Sequence, residues 1–256
     1  MYHEVEDKEF LRKMRQFCGE MMQELCMELK NKYDIGAVPV LIGSGASNFI
    51  LQNENEPIDL DYNLVIKRNT YSENKKDIKD AVQNCFNRVL RAYKLDDCND
   101  STSCLTSKHI ILRKYPYIEF SIDVAIIKED KYGSQSRLIH NKYKGEYYWN
   151  KAPSKLEIKE KEAFIKERNG WQAVHSEYKH LKNLYLSLNY QNRSSSVLYI
   201  ESVNNVYNHL KQSDVCNLAS RNHLHEIFFN SYSVPVSSLH TSLGRYQYTS
   251  LIGWRR

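Results

Sequence analysis

The feature that most constrains this chain is a pair of aspartates two residues apart, Asp59 and Asp61, in an apolar run that follows a Gly-Ser turn. The stretch reads AVPVLIGSGASNFILQNENEPIDLDYNLVI. A short apolar segment from Val38 to Ile42 stops at Gly43-Ser44, a helix-like segment follows, and a second apolar run carries the carboxylates. Side chains alternate along a strand, so Asp59 and Asp61 share one face about 7 Å apart. Two carboxylates held that way suit a hard cation, and Mg²⁺ is commonly bound by one or two carboxylates plus substrate phosphates. A Gly-Ser turn opening a helix offers backbone N–H groups and a hydroxyl to a phosphate. Singly, each element has an ordinary reading as a common turn or a solvated strand. Together, flanked by Leu41-Ile42, Ile58, Leu60 and Leu64 to Ile66, they make both halves of a nucleotide–metal site. A third carboxylate, Asp123, sits in YIEFSIDVAII, the most strand-like run of the chain. A charge buried there without a partner is costly, and a metal shared with the other two removes that cost.

Gly-Ser, then Asp-x-Asp, then a third Asp on a strand resembles the DNA polymerase beta-like nucleotidyltransferase superfamily. Ile42-Gly43-Ser44 and Asp59-Leu60-Asp61-Tyr62 carry the resemblance, with fourteen residues between Ser44 and Asp59. That spacing is one residue longer than usual, which a longer loop at Gln52 to Pro57 absorbs. By motif the resemblance covers roughly residues 35 to 128 and reaches the C-terminal helices only by architecture.

The whole chain sets broader bounds. Its 256 residues are enough to bury a core in one or two domains. A formal net charge of +5 fits an anionic substrate such as a nucleotide, and is too small to argue for nucleic acid by itself. Six cysteines with no CxxC spacing read as free thiols of a reducing compartment, not as a disulfide frame or zinc site. The N-terminus is charged and lacks the apolar core of a signal peptide. No stretch approaches the ~20 apolar residues of a membrane span. The expectation is a cytoplasmic protein with no membrane partner.

In order, the sequence predicts a helix over 6–33, from Phe10, Met14, Phe17, Met21, Leu25 and Leu29 at helical spacing. It predicts a strand over 37–42, a short helix over 46–52, a strand over 58–67 and a helix over 73–94. DDCNDSTS (96–103) reads as a solvated loop. Strands follow over 105–113 and 117–127, the second alternating Glu119, Ser121 and Asp123 with apolar residues. Glu119 is given a supporting or solvent role. Residues 132–152 read as one or two short strands. A domain boundary is placed at Pro153, where Ser154 and Glu157 resemble a capping box. Helices are expected over 154–168, 170–189, 195–212 and 217–230. The predicted architecture is α+β: a mixed, nucleotidyltransferase-type sheet flanked by helices (1–152), a helical bundle closing the nucleotide cleft (153–230), and a tail (231–256).

The resemblance implies transfer of a nucleoside monophosphate from an NTP, with ATP favoured, to a hydroxyl acceptor, releasing pyrophosphate. Asp59, Asp61 and Asp123 are the implied catalytic and metal-binding residues, for Mg²⁺ as a pair of ions or Mn²⁺ in its place. Asp123 would help deprotonate the acceptor. Gly43, Ser44 and Gly45 would hold the phosphates. Ser47 is a second phosphate candidate, weighed against a helix N-cap for 48–52. Tyr178, Lys182 and Tyr185 share a helix face by spacing. Related two-domain enzymes place a lysine on the triphosphate and an aromatic on the base from such a helix, which nominates Lys182 and Tyr178. The competing reading puts the tyrosines in the helix core and the lysines in solvent. Lys142 and Lys144 are weaker candidates. Compact size and weak basicity favour a small-molecule acceptor such as an antibiotic. RNA or tRNA, a protein acceptor, and cyclic-oligonucleotide synthesis (for which the chain looks short) are alternatives. From another class, the chain could be a catalytically silent nucleotide-binding or interaction module, although all three carboxylates and the Gly-Ser are present.

Overall fold

The computed structural model describes residues 1–151, 156–188 and 195–230, without side-chain detail for Leu156 or for residues 214–230. Its contacts divide the chain into two compact units, Met1–Leu210 and Lys211–Arg256. The expected boundary at Pro153, the Ser154 cap and the tail beyond 230 lie outside the described residues.

The first unit opens with a three-residue strand, β1 (Tyr2–Glu4), and a long helix, α1 (Lys8–Tyr33). Asp7 caps α1 by accepting a hydrogen bond from the Phe10 N–H at 2.8 Å, and Asp34 ends it in the left-handed conformation. Strand β2 (Ile35–Ile42), helix α2 (Gly43–Ser47), and strands β3 (Leu51–Asn53) and β4 (Ile58–Asn69) follow. Helix α3 (Lys75–Ala92) is capped by Asn74, whose side chain accepts from the Lys76 N–H at 2.9 Å. Next come β5 (Asn99–Asp100), β6 (Leu105–Ile111), β7 (Glu119–Glu129), β8 (Gln135–Asn141) and β9 (Glu146–Lys151). Helices α4 (Leu156–Glu167), α5 (Trp171–Ser187) and α6 (Ser195–Asn230) complete the described chain.

The main sheet runs β2-β4-β7-β6-β5, with β8 paired to the far end of β7 and β9 to β8. Among the described residues, only β4 and β7 pair in parallel. Both strands read as nearly unbroken apolar runs because both faces carry buried residues along most of their length. The even-numbered residues Leu60, Tyr62, Leu64, Ile66, Ile122, Val124 and Ile126 face the main core with Phe10, Met14, Met21 and Leu25 of α1 and Val82, Phe86 and Leu90 of α3. The odd-numbered residues face the other way and carry the aspartates. A second cluster joins α4, α5 and α6 through Ile165, Val174, Tyr178, Leu181, Leu198, Val203 and Val206, with Phe49 inserted from the segment after α2.

Four expectations are corrected. The short helix is Gly43–Ser47, not 46–52, with Asn48 in the left-handed conformation ending it. The N-cap role weighed for Ser47 therefore falls away, since Ser47 is the last residue of that helix. The 195–212 and 217–230 segments are one continuous helix. Finally, the 96–103 segment is not simply solvated. Asn99–Asp100 pairs with β6, and Asp100 binds buried Lys79 at 2.5 Å and His140 at 2.7 Å. Strands β1 and β3, paired with each other, have no counterpart in the sequence reading.

Candidate active site

Two neighbouring strands, β4 and β7, bring the predicted carboxylates together. Asp61 on β4 pairs with Ile42 at the end of β2 on one side and Asp123 on β7 on the other. Asp59 pairs with Ser121, and Asp123 pairs with Thr106 of β6. The residue pattern requires this arrangement. Were either strand displaced by one residue, its aspartates would turn into the apolar core and its leucines or isoleucines toward the site.

The hydroxyl residues of this face hold two of the carboxylates. The Ser121 hydroxyl donates to Asp59 Oδ1, and Thr106 Oγ1 donates to Asp123 Oδ1 at 2.5 Å. Asp61 has the strongest electrostatic signature. Burial, then the neighbouring charges of Asp123 and Asp59, push its carboxyl up to about 6, against the pull of Arg137 and Lys182. Three like charges on adjacent strands with few compensating cations form an oxygen-rich, anionic donor set of the kind that binds a hard divalent ion. Among the described residues no group of three or more His, Cys, Asp or Glu forms a ready-made metal cage.

Gly43 takes φ +63°, and a Cβ there would lie 2.9 Å from Asp61 Oδ2. The glycine thus serves both the left-handed turn and the close approach of backbone to carboxylate. The Ser44 hydroxyl makes no hydrogen bond among the described residues, while Gly45 is buried against Leu60 and Leu41 of the sheet. Ser47 is held by the Tyr199 hydroxyl of α6.

Lys182 of α5 is placed near this cluster. Burial holds its ammonium below the usual lysine range, against the opposing charges of Asp59, Asp61 and Glu56. Its Nζ lies 4.4 Å over the Tyr2 ring and 5.8 Å from the Tyr178 ring. Tyr178 is buried in the helical core, edge-on to Phe49 at 5.6 Å, as the competing reading had it. Tyr2 belongs to the unforeseen strand β1, which Asn183 of α5 clamps by accepting from the Tyr2 N–H at 2.7 Å and donating to its carbonyl at 3.2 Å. Arg137, also missed, sits on β8 opposite Ile127 and exerts its charge on Asp61. Neither residue belongs to a motif, so only strand pairing reveals them. Glu119 pairs with His109 at 2.7 Å. Lys142 bonds the Asp100 carbonyl, and Lys144 is exposed.

No family model matches the sequence, and no curated protein does. Solved structures do match. The chain is similar to Vibrio cholerae DncV in its 3′-deoxy ATP-bound form, at 11% identity over 79% of this chain and 67% of that one, with a TM-score of 0.57. It is similar to E. coli MS115-1 CdnC with ATP, at 12% identity over 77% and 61%, TM-score 0.51. GTP-bound DncV matches at 15% identity over 79% and 52%, TM-score 0.50. The chain spans between 38% and 61% of the length of several of the structures it matches. The chain therefore shares the fold of DncV and CdnC, a mixed sheet flanked by helices.

Proposed function

We propose that the protein transfers a nucleoside monophosphate from an NTP, with ATP favoured, to a hydroxyl acceptor and releases pyrophosphate, with Mg²⁺ as cofactor. The observation that carries this reading is the strand register that aligns Asp61 with Asp123, and Asp59 with Ser121, beside the Gly43-Ser44 turn. In this reading the acceptor oxygen forms a bond to the α-phosphorus while the bond to the β-phosphate oxygen breaks. Asp123, with Thr106 bonded to one carboxylate oxygen, uses the other to take the acceptor proton. Asp59, Asp61 and Asp123 would hold the metal. When bound, Mg²⁺ neutralises charge on the phosphates and the attacking oxygen. The Gly43 and Ser44 N–H groups and the Ser44 hydroxyl take the phosphates, and Lys182 contributes a cation from α5.

A second nucleotide is the favoured acceptor, ahead of the small molecule that sequence alone put first. DncV is a fold neighbour in both its 3′-deoxy ATP-bound and GTP-bound forms, so one such fold takes two different nucleotides. The test is incubation with each α-labelled NTP, singly and in pairs, with MgCl₂. Label moving into a nucleotide product with pyrophosphate release, and falling at least ~10³-fold in the folded Asp59→Ala/Asp61→Ala variant, is the expected outcome. NTP binding without pyrophosphate release under every condition would instead make the chain a silent nucleotide-binding module.

A further inference from the structure

Strand β1 reaches the site from a side that no motif of the sequence marks. It pairs antiparallel with β3, Tyr2 opposite Asn53 and Glu4 opposite Leu51. Beyond β3 the chain turns through Asn53 to Glu56, where the Glu56 N–H donates to the Asn53 carbonyl at 2.8 Å, and β4 with Asp59 follows. Asn183 of α5 takes both backbone groups of Tyr2, so two elements fix that residue. Its ring is half-buried. Burial, then the charges of Glu56 and Asp59, push the Tyr2 hydroxyl above the ordinary phenol range, as expected of a ring beside the start of β4. Lys182 is the partner of that ring. Its Nζ lies 4.4 Å from the Tyr2 centroid and 5.8 Å from that of Tyr178, both within cation–π distance. Among the described residues this half-buried ammonium makes no hydrogen bond and no ion pair. The charges of Asp59 and Asp61 bear on it without closing to a salt bridge. A methionine or leucine would fill the space between the two rings without the cost of burying a charge.

We propose that Tyr2 is a positioning residue for the donor NTP: its ring holds the Lys182 ammonium beside the carboxylates with its N–H groups left to the β- and γ-phosphates. The inference rests on the nucleotidyl-transfer reading above and adds to it the residue that aims the cation. A lysine has a flexible stem and a strongly hydrated head. Without a fixed partner it must be ordered by the ligand, and that ordering weakens binding. A ring face fixes the ammonium without consuming its donors. A carboxylate in the same place would accept those donors and compete with the phosphates. Direct pairing with Asp59 or Asp61 would also occupy oxygens that a metal ion needs. Stitching β1 to both β3 and α5 keeps the ring at one distance from the lysine of the helix and from the carboxylates of β4.

The test is calorimetric binding to the full chain with MgCl₂, using whichever of ATP, GTP, CTP and UTP binds tightest and the matching monophosphate. The proteins are wild type, Tyr2→Phe, Tyr2→Leu, Lys182→Met and the Tyr2→Leu/Lys182→Met double variant, each checked for folding by thermal unfolding. Tyr2→Leu should weaken the triphosphate about 5-fold and leave the monophosphate, which lacks the β- and γ-phosphates, unchanged. Tyr2→Phe keeps the ring face and should bind within about 2-fold of wild type. Beside Lys182→Met, Tyr2→Leu should add nothing, because the cation it aims is gone. Should the leucine variant fail to fold, Tyr2→Met carries the same expectations. Triphosphate binding unchanged by Tyr2→Leu, equal weakening of both ligands, or a weakening that persists beside Lys182→Met overturns the proposal. The two readings fail separately. Coupling between Tyr2 and Lys182 without pyrophosphate release removes the transferase reading and leaves the positioning role. Pyrophosphate release without that coupling does the reverse.

Discussion

Replacing Asp61 with asparagine should stabilise the metal-free protein at neutral pH while abolishing its activity. The folded carboxyl titrates at about 6 against an ordinary 3.8, chiefly through burial and then repulsion by Asp123 and Asp59. A group whose folded pKa is raised binds its proton more tightly in the native state. Its penalty is absent below about pH 4, grows as pH rises from 4 to 6, and is constant above that. A shift of ~2 units at ~1.36 kcal/mol each sets a ceiling near ~3 kcal/mol. Partial solvent access and screening lower the expected value to about 1–2 kcal/mol. The assay is urea unfolding of wild type and Asp61→Asn in EDTA at pH 4.5 and pH 8. The stability difference, variant minus wild type, should rise by about 1–2 kcal/mol between the two pH values. Added MgCl₂ should then stabilise the wild type more than the variant, by mass action on the native state. A difference that is flat or falls with pH would refute the electrostatic argument, since no other property of the substitution changes over that range.

Three further perturbations follow from the site. Gly43→Ala forces an L-residue into φ +63° and a methyl toward Asp61 Oδ2 at 2.9 Å; it should cost about 1–2 kcal/mol in thermal unfolding and lower kcat at least ~10-fold. Thr106→Val removes the hydroxyl that donates to Asp123; kcat should fall roughly 10-fold with KM for NTP nearly unchanged in initial-rate measurements. Lys182→Met keeps the apolar stem over Tyr2 but removes the charge beside Asp59 and Asp61; NTP affinity by calorimetry should weaken about 10-fold, while melting temperature holds or rises.

Legibility in the sequence followed the length and regularity of each element. Helices α1 and α3 and strands β4 and β7 are long, strongly patterned and close to their expected bounds, because a buried stripe or alternating face repeats enough times to be seen. The two short strands β1 and β3 were invisible. Three residues carry no period, and their pairing joins positions about fifty residues apart. Helix α2 was misplaced by three residues at its start, since its first residue is a glycine with positive φ that reads as a turn. The expected break after residue 212 is absent, since α6 runs from Ser195 to Asn230.

What the sequence by itself determined is which chemistry the chain can carry: two carboxylates on one strand face, a third on another apolar strand, and a Gly-Ser turn ahead of them. Period-two alternation is a local property, so it assigns each of these side chains to the same kind of face without knowledge of the partner strand. Only the tertiary structure decided that Asp61 and Asp123 stand in register, that Thr106 and Ser121 hold their neighbours, and that Arg137 and Lys182 bear on one carboxyl. It also decided that Tyr178 belongs to the helical core. Those facts depend on which distant segments pair and what they bury. Burial and the distance between charges set the electrostatics of a site, and neither is a property of any single stretch of chain.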